Sequence, residues 1–450
     1  MYAQYLDTFG NILTATKNLR ILNFEVGNTS FILHPPVTRA LAQMHELRYL
    51  SCHLVSPGVL SVVKCIPSRN LVLLDLWHEV QWFHDFSPLL STLEAFSKLS
   101  TLVMNSFLPG QTDLDTAGTS LPSIRHITLK DASVAATNIL YLCPNIDTID
   151  FSPNHEQQCM QGHTDIRPRW PKVSHLSVGI CRATRWGGGV DARLSHADLQ
   201  TALVELLERR ASPVPHLELA GGGLELTRDG VAAVDAATSR WLARLLAALQ
   251  PRALTLPVHA AGFNQSPHER LDGWLWIQVA RVLPRLRALT LRRVGRDNWV
   301  PPDTPPAALA ELPLRCLFID ASPVLPSESR RLRSPCVELE RVRALDALPA
   351  KLLAALTEMR VLGITGTAAL PDAAVDTSEK WGLKDLGEWR REHGEHNTPW
   401  WRVDGEGAER KLVELWREYG ERAQQLVENA EEYRVADLAE IYLDKCRYEP

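Results

Sequence analysis

The sequence predicts an α/β solenoid of parallel strands and helices that ends in a segment of different composition. Three observations predict it. A short phrase recurs along most of the 450 residues: an apolar residue, two variable residues, Leu or Ile, one variable residue and another apolar residue. Between the copies lie segments whose apolar residues fall at helical spacing. After Pro371 the phrase stops and the charge balance shifts.

The copies begin at Leu19, Leu47, Leu71, Leu99, Ile124, Ile146, Val173, Val214, Pro251, Leu286, Leu314 and Met359. Most are 22 to 28 residues apart, the length of one strand plus one helix. This is the strand phrase of a leucine-rich repeat. Its apolar residues point into the stack, where neighbouring repeats supply the core that no single repeat can build. Wider gaps before Val214, Pro251 and Leu286 mark insertions, and the gap of 45 before Met359 predicts a degenerate copy at Val337–Val342. Helices are expected at Val37–Met44, Pro57–Cys65, Pro88–Phe96, Ser133–Leu142, Ala197–Arg209, Ala236–Leu249, Leu271–Leu283 and Ala350–Met359. Several stop at a proline, as at Pro67, Pro144 and Pro284. Right-handed crossovers then put the strands on a concave face and the helices on a convex one.

The expected organisation is residues 1–18 as an N-terminal cap or truncated end, 19–370 as irregular leucine-rich repeats, and 371–450 as an acidic, Trp-rich helical segment. Tyr2, Tyr5, Leu6 and Phe9 suit a helix that covers the first repeat. From Glu409 to Tyr442 the apolar set Leu412, Leu415, Trp416, Tyr419, Leu426, Tyr433, Leu438 and Ile441 predicts one or two amphipathic helices, as a cap on the final repeats or a partner-binding tail. The asparagine or cysteine that regular repeats carry three positions after the phrase occurs only at Asn154 and Cys181, so a continuous amide ladder is not expected.

The net charge of −5 gives no general attraction to nucleic acid or acidic membranes. It is uneven: residues 371–450 hold 20 acidic and 12 basic side chains, a balance of −8, which leaves +3 for the rest. Eight scattered cysteines without a CxxC pair read as reduced thiols of an intracellular protein, cytoplasmic or nuclear. The N-terminus lacks the pattern of a secretory signal, and no stretch has the length and apolarity of a membrane span.

Side chains alternate along a strand, so the third and fifth residues of each phrase face the concave surface. This gives the candidate partner-binding residues Tyr49, Asp75, His126, Asp150, His175, His216 and Glu218, to which Trp77, two residues beyond Asp75 on the same face and with His53 beside it, is added. Exposed Trp and Tyr beside carboxylates are typical of protein-binding hot spots. The expected function is non-enzymatic protein recognition, with no catalytic residue, metal or cofactor. Two alternatives stay open. The His/Asp/Glu strip has the donor types of a metal-dependent enzyme. Arg281, Arg285, Arg287, Arg292 and Arg293 form a basic stripe suited to nucleic acid. His155-x3-Cys159-x3-His163 reads as a polar loop, and Gly187–Gly189 and Gly221–Gly223 lack the Lys-Ser/Thr of a phosphate-cradling loop.

The irregular phrase spacing, Leu121-Pro122-Ser123-Ile124-Arg125-His126-Ile127 and Cys143-Pro144-Asn145-Ile146 together resemble the repeat regions of fungal F-box proteins, over about residues 10–370. That resemblance implies repeats that hold a substrate for an SCF-type ubiquitin ligase. An F-box, which would bind the ligase adaptor, is not found: Leu19 opens a repeat almost at once, and Leu348-Pro349-Ala350-Lys351-Leu352-Leu353 is better explained as a convex helix.

Overall fold

The computed structural model describes residues 2–24, 29–67, 69–78, 86–108, 119–154, 169–179, 196–220, 236–258, 279–293, 307–320, 345, 347–365, 399–429, 437–439 and 441. They belong to two units, Met1–Ser212 and Pro213–Pro450.

In the first unit every phrase becomes a strand: β1 (Ile21–Phe24), β2 (Tyr49–Val55), β3 (Leu73–His78), β4 (Thr101–Asn105), β5 (His126–Ala132), β6 (Thr148–Pro153) and β7 (His175–Gly179). They pair in parallel and in chain order. The register matches the phrase residue for residue, so that Leu22, Leu50, Leu74, Leu102, Ile127, Ile149 and Leu176 form one buried row. A main-chain ladder ties repeat to repeat. The N–H groups of Arg48 and Tyr49 both donate to the carbonyl of Arg20, those of Val72 and Leu73 to Arg48, and those of Ser100 and Thr101 to Val72. The pattern continues at Ser100, Arg125 and Asp147.

Local chemistry places the helices. Prolines occupy the first turn at Pro35–Leu41, Pro57–Lys64 and Ser87–Glu94, where the missing N–H costs nothing. Ser56 caps the second of these by accepting from the Val59 N–H at 3.4 Å. Val59, Leu60 and Val63 then face the core, as do Leu89, Leu90 and Leu93. Residues Val134–Leu142 wind as a 3₁₀ helix. They serve the shortest repeat, and the larger rise of a 3₁₀ helix, about 2.0 Å per residue against 1.5 Å, lets fewer residues span the stack. The N-terminal helix Tyr2–Ala15 lies on the first repeat. Leu6 and Leu13 are buried, Phe9 meets Phe31 and Phe24 at 4.9 and 6.4 Å, and a Cβ on Gly10 would sit 2.6 Å from that of Pro36. Tyr5, expected in that contact, is exposed instead.

Where an amide ladder is missing, a backbone device replaces it. Leu54, Ser106 and Asp131, at the same place in three repeats, have positive φ of 52° to 53° and turn the chain off the strand. Val55, Phe107 and Ala132 are then buried one residue later, and main-chain bonds run from Ser106 to Lys130, Ser133 to Phe107 and Asn154 to Ala132.

The second unit repeats the scheme with β8 (His216–Ala220), β9 (Ala253–Val258), β10 (Ala288–Arg293), β11 (Cys316–Asp320) and β12 (Val361–Ile364), paired in parallel from β8 to β12. β11 pairs directly with β12, and the degenerate copy expected at 337–342 lies outside the described residues.

The C-terminal segment contains a helix, Arg417–Asn429, but Glu409–Tyr442 is not helical throughout. Trp400–Asp404 and Lys411–Leu415 are strands β13 and β14, added antiparallel to β12. The aromatic and β-branched residues Trp400, Trp401, Val403 and Val413 favour a strand. Gly405 and Gly407, with φ of 84° and 55°, supply the turn that reverses the chain. Arg410 latches that turn to the last repeat by donating to the carbonyls of Leu353, Leu356 and Met359 at 2.8 to 3.1 Å.

Candidate functional site

The candidate residues lie on the strand faces, and the two units treat those faces differently. In the first unit the third phrase positions form the row Ile21, Tyr49, Leu73, Thr101, His126, Thr148, His175. The fifth positions form the row Asn23, Ser51, Asp75, Val103, Thr128, Asp150, Ser177. His126 is exposed, and Tyr49, Asp75, Asp150 and His175 are half-buried. Trp77 is 42% exposed and stacks on His53, with ring centroids 4.9 Å apart and planes 12° from parallel. Asp75 is held from both sides: Ser51 Oγ donates to Oδ2 at 3.3 Å and Asn105 Nδ2 to Oδ1 at 2.9 Å. Trp82, the next tryptophan along the chain, lies outside the described residues.

Two strand spacings, about 9.6 Å, separate His126 from His175. Thr148 stands between them. Among the described residues no three His, Cys, Asp or Glu side chains converge on a common point. His155, Cys159 and His163 lie outside the described residues, as do both glycine runs.

In the second unit the third positions are His216, Ala253, Ala288, Cys316 and Val361, and the last four are buried. They are buried because the C-terminal helix lies across the strands. Gly420, Ala423 and Val427 are its buried side, and Leu438 and Ile441 join the same apolar cluster. Trp400 is the centre of that packing. It is 1% exposed, stacks on Phe318 at 5.3 Å, and fits only because Gly363 and Gly420 carry no Cβ. Polar contacts continue along the helix: Gln424 Nε2 donates to Thr290 Oγ1 at 3.3 Å and to Glu428 at 2.7 Å. Glu428 Oε2 lies 3.8 Å from His216 Nδ1, and the other His216 ring nitrogen is 3.0 Å from Thr255 Oγ1. Glu218 pairs with Arg292. His216 and Glu218, the candidate residues of this unit, are therefore engaged by Glu428 and Arg292.

The register of two rows over one repeated phrase decides the architecture. The fold is a leucine-rich-repeat solenoid. No family model matches the chain, and no curated protein matches it. Among solved structures it is similar to the leucine-rich repeat-containing protein LegL7 from Legionella pneumophila, at 12% identity over 81% of this chain and 99% of that one, with a TM-score of 0.40. It is also similar to the leucine-rich repeat domain of APL1B, at 11% identity over 70% of this chain and 79% of that one, with a TM-score of 0.21.

Charge and thiol chemistry follow from the same packing. Burial, with the nearby Asp75 carboxylate, pushes the Cys52 thiol up to about 12, and burial alone does the same to Cys143. Burial and then Glu428 raise Cys316 well above the ordinary thiol value. Cys65 is exposed, and all four are free thiols. Among the described residues, the arginines read as one basic stripe are spread over a strand face, a helix end and a turn. Arg292 is on the strand face against Glu218, Arg281 and Arg285 are exposed in the helix end and the turn that precede β10, and the Arg293 side chain lies outside the described residues. The residue before each strand is instead arginine in four successive repeats, at 252, 287, 315 and 360. All four are half-buried, and Arg315 pairs with Glu358 at 2.6 Å. Among the described residues no helix is long and apolar enough to cross a membrane.

Sequence reasoning missed the covered groove. Its signals were Ala253, Ala288 and Gly363 at positions where the first unit carries larger or polar residues, together with the spacing of Gly420, Ala423 and Val427.

Proposed function

We propose that the chain is a non-enzymatic protein-recognition scaffold that reads a protein partner on the strand face of its first unit, through Tyr49, Asp75, Trp77, His126, Asp150 and His175. The observation that carries the reading is Trp77, a large apolar ring left 42% exposed and propped on His53 beside an oriented carboxylate. An exposed Trp held in one orientation loses little conformational entropy on binding, which is the physics of a hot spot. The spread of His126 and His175 across separate strands disfavours a shared metal, and the pairing of Arg292 with Glu218 and of Arg315 with Glu358 disfavours a nucleic-acid groove.

The finer reading is a substrate receptor of an SCF-type ubiquitin ligase, in the cytoplasm or nucleus. The resemblance of the repeat phrases to fungal F-box proteins supports it, and the free thiols of the described cysteines fit an intracellular setting. Affinity purification of the chain from its own cells, beside the variant W77A/H126A, tests both levels. Co-purification of the SCF adaptor and a cullin with the parent supports the ligase role. If other proteins are enriched without them, the repeats act as a stand-alone scaffold. Partner binding left intact by W77A/H126A would overturn the assignment of the face.

A further inference from the structure

We propose that the strand face of the second unit is a groove for an amphipathic helix, that the helix Arg417–Asn429 occupies it as an internal ligand together with Leu438 and Ile441, and that a protein partner's helix of the same pattern displaces them. The proposal stands apart from the face of the first unit, and its test needs no ligand of that face.

The first ground is composition. Third-position side chains point away from the repeat core, so the solenoid itself does not require them to be small. In the first unit they include Tyr49, Leu73, Thr101 and His126, whereas the second unit has Ala253, Ala288 and Cys316, with Gly363 beside them. Small residues there let a helix approach the sheet closely.

The second ground is the occupant. Gly420, Ala423 and Val427 are spaced by three and four residues, so they share one helix face. Tyr419, Leu415 and Leu426 flank the apolar cluster. Arg417, Glu418, Arg422 and Gln425 are exposed. A helix of 13 residues is marginal alone in water and owes its stability to the surface it lies on. Displaced, it loses its structure, which makes exchange with another helix reversible.

The third ground is how the helix is attached. Its polar anchors are long, with Gln424 to Thr290 at 3.3 Å and Glu428 to His216 at 3.8 Å, and they join half-buried Gln424 and His216 to buried Thr290 and Glu428. Trp416 joins β14 to the helix and is 68% exposed, so the helix can leave while the β13–β14 pair stays zipped to β12. The matching partner carries a small residue, Ala three positions on, an aliphatic residue at the seventh and a carboxylate at the eighth, to meet His216.

Cys316 reports on the groove, because it forms part of the floor and is 1% exposed under the helix. Site-resolved maleimide labelling of the full chain compares the parent with Q424A/E428Q and with A423E. The proposal expects Cys316 to label at least tenfold faster in both variants while Cys52 and Cys143 stay as protected as in the parent. It also expects a fluorescent peptide of residues 416–443 to bind the A423E chain at least tenfold more tightly than the parent. Unchanged protection of Cys316 in both variants would overturn it. So would labelling of Cys52 and Cys143 together with Cys316, which would make the helix part of the folding core. An opened groove that fails to take the peptide would overturn it as well.

Discussion

Replacing Gly420 by Ala sets two known effects of similar size against each other. In an exposed helix the change is favourable by about 1 kcal/mol. Here the new Cβ would lie 2.1, 2.3 and 2.5 Å from Cγ, Cδ2 and Cβ of Trp400. Carbon atoms rest near 3.5 Å, so something must yield by about 1.4 Å. The indole cannot: its far edge already occupies the space over Gly363, and its face lies on Phe318. The helix must move. Overpacking of this kind costs about 3 kcal/mol at the upper end of its usual range. The balance is about 2 kcal/mol toward an open helix, or roughly a 30-fold loss of protection. Hydrogen exchange of amides 417–429 measures it directly, and it avoids the assumption of two-state unfolding that a repeat stack need not satisfy. Protection equal to or above that of the parent would mean that helix propensity alone governs the site, and the packing argument would fall.

Other consequences can be checked on the same protein. Trp400→Ala empties the centre of the C-terminal packing and is expected to cost about 3–5 kcal/mol, read as lost protection in β12–β14 with β1–β7 unaffected. Arg410→Ala removes donors to three carbonyls and is expected to cost about 1–3 kcal/mol, seen as earlier exchange of the 404–411 turn in a urea series. Burial holds His78 down to about 3, so the folded protein refuses a proton that the unfolded chain accepts below about 6.5. Stability of the first unit therefore falls as pH drops from about 6.5 toward 3, by up to about 1.4 kcal/mol per unit, and His78→Leu should flatten that slope in urea midpoints measured across pH. Of the four described cysteines, Cys65 should react with a maleimide first, with Cys52, Cys143 and Cys316 slower by orders of magnitude.

The strands were legible because one physical demand repeats. Each row of Leu or Ile must meet the row of the next repeat, so the phrase carries its own register from Leu22 to Leu176 and from Leu217 to Leu362. Helix positions followed from prolines and apolar spacing, as at Pro57–Lys64 and Ala236–Leu249. The C-terminal segment was harder. Leu412 and Leu415 fit a helical spacing, and only their long-range pairing with Trp400–Val403 makes them a strand. The left-handed turn at Leu54 was invisible, since leucine has no preference for positive φ and is held there by the fold around it. The candidate face was readable as a set of positions but not as a set of neighbours. Nothing local to His216 and Glu218 announces Glu428, which is more than 200 residues away, or Arg292.

The run of the C-terminal helix acts as a ruler. From Gly420 beneath Trp400 it passes Gln424 at β10 and ends with Glu428 at β8. The eight residues from Gly420 to Glu428 rise about 12 Å, and the side chains of Trp400, Gln424 and Glu428 make up the rest of the four strand spacings, about 19 Å, that separate β8 from β12. An extra repeat inserted among these strands would carry His216 a further spacing away and strand the carboxylate short of its mark. Repeat arrays lengthen and shorten readily by duplication, but in this half of the chain the gauge length of one helix holds the count.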